Sequence, residues 1–336
     1  MNIREIIANV KPQRGVPRRK PSRRAALCAG IALLLAVLSQ VDLVRQNAQI
    51  FWESATGRGW KLHGALHTVV VWSPALRQNR RVVVYLPPGY ETDTAERYPV
   101  VYLLHGAPGV LDDWLRYGRA PETLEKLCES GKARNMILVF PDGRGVGYLG
   151  DSEYVDAPGR QSRGLAVGTF IWRDLPAWID SHYRTVASRD GRILAGVSTG
   201  GYGAVNLGLQ HPQVFGALFS FSGYFEAEDS GWARPVWGYH PTASALERQS
   251  PLNYLSYGDN PDWRNTYIYI GQGSDERPPY PAEARAFATV LRSKHVPYRY
   301  QILPGKHSWD LWRVALTDAL TAHPPAIQAQ GRHSPP

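Results

Sequence analysis

Arg192-Ile-Leu-Ala-Gly196-Val-Ser198-Thr-Gly200-Gly-Tyr-Gly-Ala-Val-Asn places a serine two positions from a glycine on either side. A short apolar run, Ile193 to Ala195, precedes it, and a helix-compatible segment, Ala204 to Gln210, follows and stops at His211-Pro212. Gly-x-Ser-x-Gly between a strand and a helix is the pattern of a nucleophile elbow. The turn is tight and strained, so side chains two residues either side would strike the neighbouring backbone, and glycine avoids that. A hydroxyl lifted over the sheet at a helix N-terminus could attack a carbonyl carbon, with the free N–H groups favouring the negative charge that develops. A Gly-rich turn that merely contains serine is the plainer alternative. The strand before and the helix after favour the elbow.

A serine hydroxyl needs a base to take its proton and an acid to orient that base. In α/β-hydrolases these follow the serine in the order acid, then histidine. After the strand that starts at Tyr267 comes Gly271-Gln-Gly-Ser-Asp275-Glu276, and after the last strand comes Pro304-Gly-Lys-His307-Ser-Trp309. Both loops leave the same end of predicted parallel strands, where ligand sites of such sheets form. The order assigns Ser198 as nucleophile, His307 as base and Asp275 as acid, with Glu276 its rival on the same loop. His307 could instead cap the final helix, and Asp310 belongs to that helix's first turn. The loop His105-Gly-Ala107-Pro-Gly109 follows the third strand, so the N–H groups of Ala107 and Thr199 are the expected oxyanion hole. Pro108 has no N–H to offer. Asp112 and Asp113 read as polar loop residues; with no clustered His or Cys, neither a metal nor a cofactor is expected.

The elements that must position these groups alternate between strand and helix. Leu66 to Ser73 and Arg80 to Leu86 read as a hairpin; Pro99 to Leu104, Met136 to Phe140, Ala217 to Phe221, Tyr267 to Ile270 and Tyr298 to Leu303 read as further strands. Helices are predicted at Pro121 to Lys132, Gly168 to His182 with Pro176 interrupting, Pro281 to Lys294 and Trp309 to Thr321. This predicts an α/β fold of the α/β-hydrolase kind: a mostly parallel sheet of about eight strands with helices on both faces. At 336 residues and 43% apolar content the chain can bury a deep core. The catalytic domain is expected over 64–321. Of the two cysteines, Cys28 lies in the N-terminal apolar run and Cys128 in a helix, so the domain has no internal disulfide to form.

Of the formal charge of +9, seven sit in residues 1–24, a basic head, which leaves the rest near +2 and gives no electrostatic case for nucleic acid. The head runs into an apolar stretch that ends at Asp42, so 25–44 reads as a signal-anchor or a cleaved signal peptide. The charge asymmetry then puts the catalytic domain outside the cytoplasm, tethered to the membrane or secreted. Residues 45–63 read as a linker and 322–336 as a disordered tail.

Tyr98-Pro-Val-Val-Tyr-Leu-Leu-His-Gly106, Gly196-Val-Ser-Thr-Gly-Gly201, Ser222-Gly223, Ser250-Pro-Leu-Asn-Tyr254 and Gly305-Lys-His-Ser-Trp309 resemble the esterase D family over roughly residues 64 to 320. That family groups S-formylglutathione hydrolases, feruloyl and acetyl-xylan esterases, enterochelin esterases and mycolyltransferases. The resemblance implies a serine esterase acting on a small-molecule or glycan acyl ester, such as a carbohydrate or cell-envelope ester. A mycolyltransferase-type acyl transfer to a sugar hydroxyl is the alternative, and a tethered binding protein on the same fold is another. Two stretches, 143–168 and 224–265, should frame the pocket. Among the tryptophans, Trp114 and Trp309 are the candidate substrate contacts, against a plainer role in core packing.

Overall fold

The computed structural model describes residues 61–145, 150–157, 165–227, 234–238 and 241–322. The basic head, the signal-anchor stretch 25–44, nearly all of the linker and all but the first residue of the tail lie outside them. Among the described residues no helix is long and apolar enough to cross a membrane.

Runs of β-branched and aromatic residues build eight strands: β1 Ala65–Ser73, β2 Gln78–Leu86, β3 Val100–Leu104, β4 Ile137–Pro141, β5 Arg192–Val197, β6 Ala217–Phe221, β7 Tyr267–Gly273 and β8 Tyr298–Leu303. They form one sheet in the order β1-β2-β4-β3-β5-β6-β7-β8. The first hairpin pairs Ala65 with Leu86 and Ser73 with Gln78, and β2 runs antiparallel to β4. From β4 to β8 every neighbouring pair is parallel.

Side chains alternate across this sheet and feed two apolar layers. On β3, Val100, Tyr102 and Leu104 enter one layer, while Val101 and Leu103 enter the other. Six helices matter here: α1 Ala120–Glu129, α2 Leu175–His182, α3 Thr199–Gln210, α4 Pro251–Tyr257, α5 Tyr280–Ser293 and α6 Trp309–Thr321. The first layer takes Ile179 of α2, Val205 of α3, Leu255 of α4 and Phe287 of α5. The second takes Leu124 of α1 and Leu316 of α6. Helices therefore cover both faces, as the strand–helix alternation predicts.

Two details differ from the sequence reading. The interruption expected at Pro176 lies one turn earlier: Phe170–Asp174 forms a π-helical turn, and Pro176 sits in the first turn of α2, where a missing N–H costs little. Helix α3 starts at Thr199, five residues before the predicted Ala204, although it opens with poor helix formers. Close packing explains those glycines. A Cβ at Gly196 would lie 2.3 Å from the carbonyl oxygen of Gly200, and one at Gly200 would lie 2.5 Å from that of His105. Both obstacles are backbone, which cannot rotate away.

Gly200→Ala should therefore destabilise the domain by about 1–3 kcal/mol through overpacking. Thermal unfolding reads it directly; an unchanged Tm would mean that the turn has room to spare.

Candidate active site

The parallel strands all end at one edge of the sheet, and each loop there delivers one component. Ser198 follows β5 with φ 55° and ψ −122°, a left-handed conformation uncommon for a residue with a side chain. The turn is pinned on both sides: the Ser198 N–H donates to the Phe221 carbonyl (2.9 Å), and the Tyr202 N–H donates to the Ser198 carbonyl (3.0 Å). Thr199 is the first residue of α3, so its N–H has no acceptor within the helix.

The loop after β3 lies against this elbow. A Cβ on Gly106 would sit 3.4 Å from that of Ser198. His105 is buried and supports the loop from within. The Gly143 N–H approaches its Nε2 at 3.2 Å, and its Nδ1 lies 2.9 Å from the Gly106 carbonyl oxygen. Those partners assign a neutral ring with the proton on Nδ1. Burial pushes the imidazole below the ordinary histidine range, which fits that tautomer. The Tyr154 hydroxyl donates to the His105 carbonyl (2.8 Å).

Ser198, Ala107 and Thr199 open on one cavity of about 290 Å³. Asp151, Glu153, Tyr224 and Glu226 line it further, from the two stretches expected to frame the pocket. Glu153 and Tyr154 both have φ 50°, and the Glu153 N–H caps the Asp151 carboxylate at 3.0 Å. Burial raises the Asp151 carboxyl above its ordinary value. The Tyr224 ring stacks on Tyr202 with centroids 4.6 Å apart, and its hydroxyl donates to Glu153. Pro279, Tyr280 and Glu283 complete the wall from the start of α5, a contribution with no local sequence signal.

The acid expected at Asp275 is not the one that the fold brings to the histidine. Asp275 is exposed, and its carboxylate accepts from the Ser274 hydroxyl at 2.9 Å. The next residue turns inward. Glu276 is buried, and its Oε1 lies 3.5 Å from His307 Nδ1. The loop geometry decides between them. The Asp275 N–H is tied to the Gly305 carbonyl (2.9 Å), and Gly273 leaves room for Glu276, whose Cγ would be 3.0 Å from a Cβ placed there. The Ser222 hydroxyl donates to Glu276 Oε1, and the Gln272 amide donates to Oε2.

His307 stands between aromatic neighbours, its ring 5.2 Å from that of Tyr280 and 5.0 Å from that of Trp312. Tyr280 is also a wall of the cavity. No hydrogen bond joins Ser198 to His307 among the described residues; apo sites of this kind often tighten only around substrate.

Trp114 and Trp309 do not line this cavity. Trp114 is fully buried, donates its indole N–H to the Leu104 carbonyl (2.9 Å) and meets Trp309 edge to face at 5.2 Å. Both belong to the apolar layer beneath α1 and α6, where bulky rings fill the gap between helices and sheet. Trp263 is likewise buried, with its N–H on the Leu209 carbonyl (2.8 Å). Asp113 accepts from the Val110 N–H (2.9 Å), so it fastens the loop beyond Gly109.

The model of the Esterase family matches residues 73–323. Esterase Rv1288 of Mycobacterium tuberculosis is 27% identical over 278 residues, which cover 75% of this chain and 58% of that protein. The chain thus spans little more than half of that curated relative. An acetyl esterase of Caldicellulosiruptor saccharolyticus is 24% identical, over 76% of this chain and 96% of its own length. A ferulic acid esterase of known structure superposes with a TM-score of 0.68 at 28% identity, covering 78% of this chain and 98% of its own. An S-formylglutathione hydrolase from Agrobacterium tumefaciens shares the fold, with a TM-score of 0.67 at 20% identity.

The buried, neutral His105 predicts a pH dependence of stability. Its folded-state value lies below the unfolded one, so unfolded chains gain a proton that folded chains refuse as pH falls below about 6.5. The stabilisation is complete above that pH and is lost as the pH drops towards the folded-state value. Between pH 7.5 and 5.5, Tm should fall less steeply in His105→Gln than in the parent chain. Parallel curves would acquit His105.

Proposed function

The chain belongs to the Esterase family, and from that premise we propose that it is a serine carboxylic ester hydrolase working through an acyl-enzyme. The observation that carries the reading is the strained Ser198 at the head of α3, opening on a cavity beside the Ala107 and Thr199 backbone. In this mechanism Ser198 Oγ attacks the ester carbonyl as His307 Nε2 takes its proton. The amides of Ala107 and Thr199 hold the oxyanion, and the imidazolium then protonates the departing alkoxide. Water, activated by the same imidazole, adds to the acyl-enzyme and releases the acid, returning the proton to Ser198. Glu276, rather than Asp275, accepts the His307 Nδ1–H and steadies the imidazolium, since its carboxylate is the one facing that nitrogen.

The substrate we propose is a carbohydrate or cell-envelope ester of a small acyl group. Support comes from relatives named acetyl esterase and ferulic acid esterase, and from a cavity near the lower end of the usual size range for ligand pockets. The basic head and the apolar stretch 25–44 support work outside the cytoplasm, tethered or released.

Ser198→Ala should reduce turnover of p-nitrophenyl acetate by about 10⁴-fold or more, and fluorophosphonate labelling should vanish with it. Labelling that persists in the alanine variant would end the assignment. A paired comparison separates the two acids. Glu276→Gln should lower kcat by about 10²–10⁴-fold, whereas Asp275→Asn should stay within about twofold. The reverse ranking would restore Asp275.

A further inference from the structure

A chain of hydrogen bonds runs behind Glu276 to a side chain that also touches the base. The Trp312 indole N–H donates to Ser222 Oγ at 2.8 Å, and the Ser222 hydroxyl donates to Glu276 Oε1. The Trp312 ring meets the His307 ring edge to face, 85° between planes and 5.0 Å between centroids. We propose that Ser222 and Trp312 are positioning residues of the catalytic apparatus, together locking Glu276 and His307 in register. The proposal rests on the reading of Glu276 as the acid that serves His307.

The argument is one of proton counting. A serine hydroxyl has a single proton to donate and two lone pairs with which to accept. By occupying a lone pair, the Trp312 N–H leaves that proton with one destination, the Glu276 carboxylate. Trp312 and Ser222 are both buried, so water does not offer an alternative partner on equal terms. The second carboxylate oxygen is held by the Gln272 Nε2 group, whose own Oε1 is buried with no partner among the described residues. An orphaned amide oxygen is costly, which marks the aim of Nε2 at the carboxylate as the contact that sets this side chain. With both oxygens held, Glu276 has little freedom to rotate away, and Oε1 stays on the side of His307.

The backbone at Ser222 points the same way. Its φ is 54°, left-handed like that of Ser198, and its N–H donates to the Gly271 carbonyl at 2.8 Å. Successive parallel strands, β5 and β6, thus each end in a serine with a left-handed backbone. One offers its hydroxyl to the cavity and the other to the carboxylate behind the histidine. Glycine would adopt this conformation with less strain, so the serine at 222 needs a reason, and the bond to Glu276 supplies one.

The test is a set of double-mutant cycles on the purified chain, with kcat and KM measured on p-nitrophenyl acetate. Ser222→Ala should lower kcat ~10- to 100-fold, the loss of one hydrogen bond to a charged group, and Trp312→Phe ~3- to 10-fold, the loss of one to a neutral hydroxyl, each leaving KM within about twofold. Trp312→Phe keeps a ring beside His307 and removes only the N–H. Ser222→Gly, which suits the left-handed backbone, guards against misfolding. It should match Ser222→Ala in activity while holding a higher Tm than Ser222→Ala. In a Glu276→Gln background the same substitutions should cost less than about twofold more, since residues acting through one group are not additive. Full additivity there, or an undiminished kcat in Ser222→Gly, would overturn the positioning role. Normal turnover by Glu276→Gln alone would instead remove the reading beneath it, so the two failures are told apart.

Discussion

The site depends on one crowded turn. Ser198 holds a backbone conformation that its side chain disfavours, and the surrounding structure leaves it no other. Glycines 196 and 200 let the end of β5, the start of α3 and the loop after β3 approach within backbone contact. Hydrogen bonds from the Ser198 N–H to β6 and from the Tyr202 N–H back to the Ser198 carbonyl close the turn. The strain is offset by the packing of three elements that are themselves buried on both sides. Because the serine cannot relax, its hydroxyl and the first N–H of α3 face the cavity together.

The rest of the site is assembled on the same rim by strand order alone. Strands β3, β5, β6, β7 and β8 are consecutive neighbours, so their outgoing loops lie side by side. They contribute in turn the Ala107 loop, Ser198, Ser222, Glu276 and His307. Between the histidine and the sheet lies a polar layer in which a buried carboxylate is held by a hydroxyl and an amide, with an indole behind the hydroxyl. Burying such a group is tolerable because both oxygens have donors. The loop after β3 is held in a similar manner by the neutral His105 and the Tyr154 hydroxyl.

Much of this was legible along the chain. The five short runs from Pro99, Met136, Ile193, Ala217 and Tyr267 read as strands because each is rich in β-branched or aromatic residues and ends at a turn. The elbow was legible because steric demand is local: the two glycines are needed by backbone a few residues away. The place of His307, on the loop that follows the last strand, was legible too. The tryptophans were not, since a Trp suits an apolar core and a ligand wall equally well, and only the packing of Trp114 and Trp309 against each other in one apolar layer settles which they meet.

Sequence by itself determined the order of strands and helices, the strained serine and the loops that carry charge, because these follow from periodicity, glycine sterics and the identity of neighbours in the chain. It could not separate Asp275 from Glu276. Adjacent carboxylates on one loop have the same local chemistry, and only the tertiary structure decides which is buried. Here the tie between Asp275 and Gly305, the space above Gly273 and the donors on Ser222 and Gln272 turn the second inward. The same holds for Tyr280 and Glu283, which reach the cavity because α5 begins where the β7 loop returns to the sheet. Contacts between residues dozens of positions apart are made by the fold, and a carboxylate's burial is one of them.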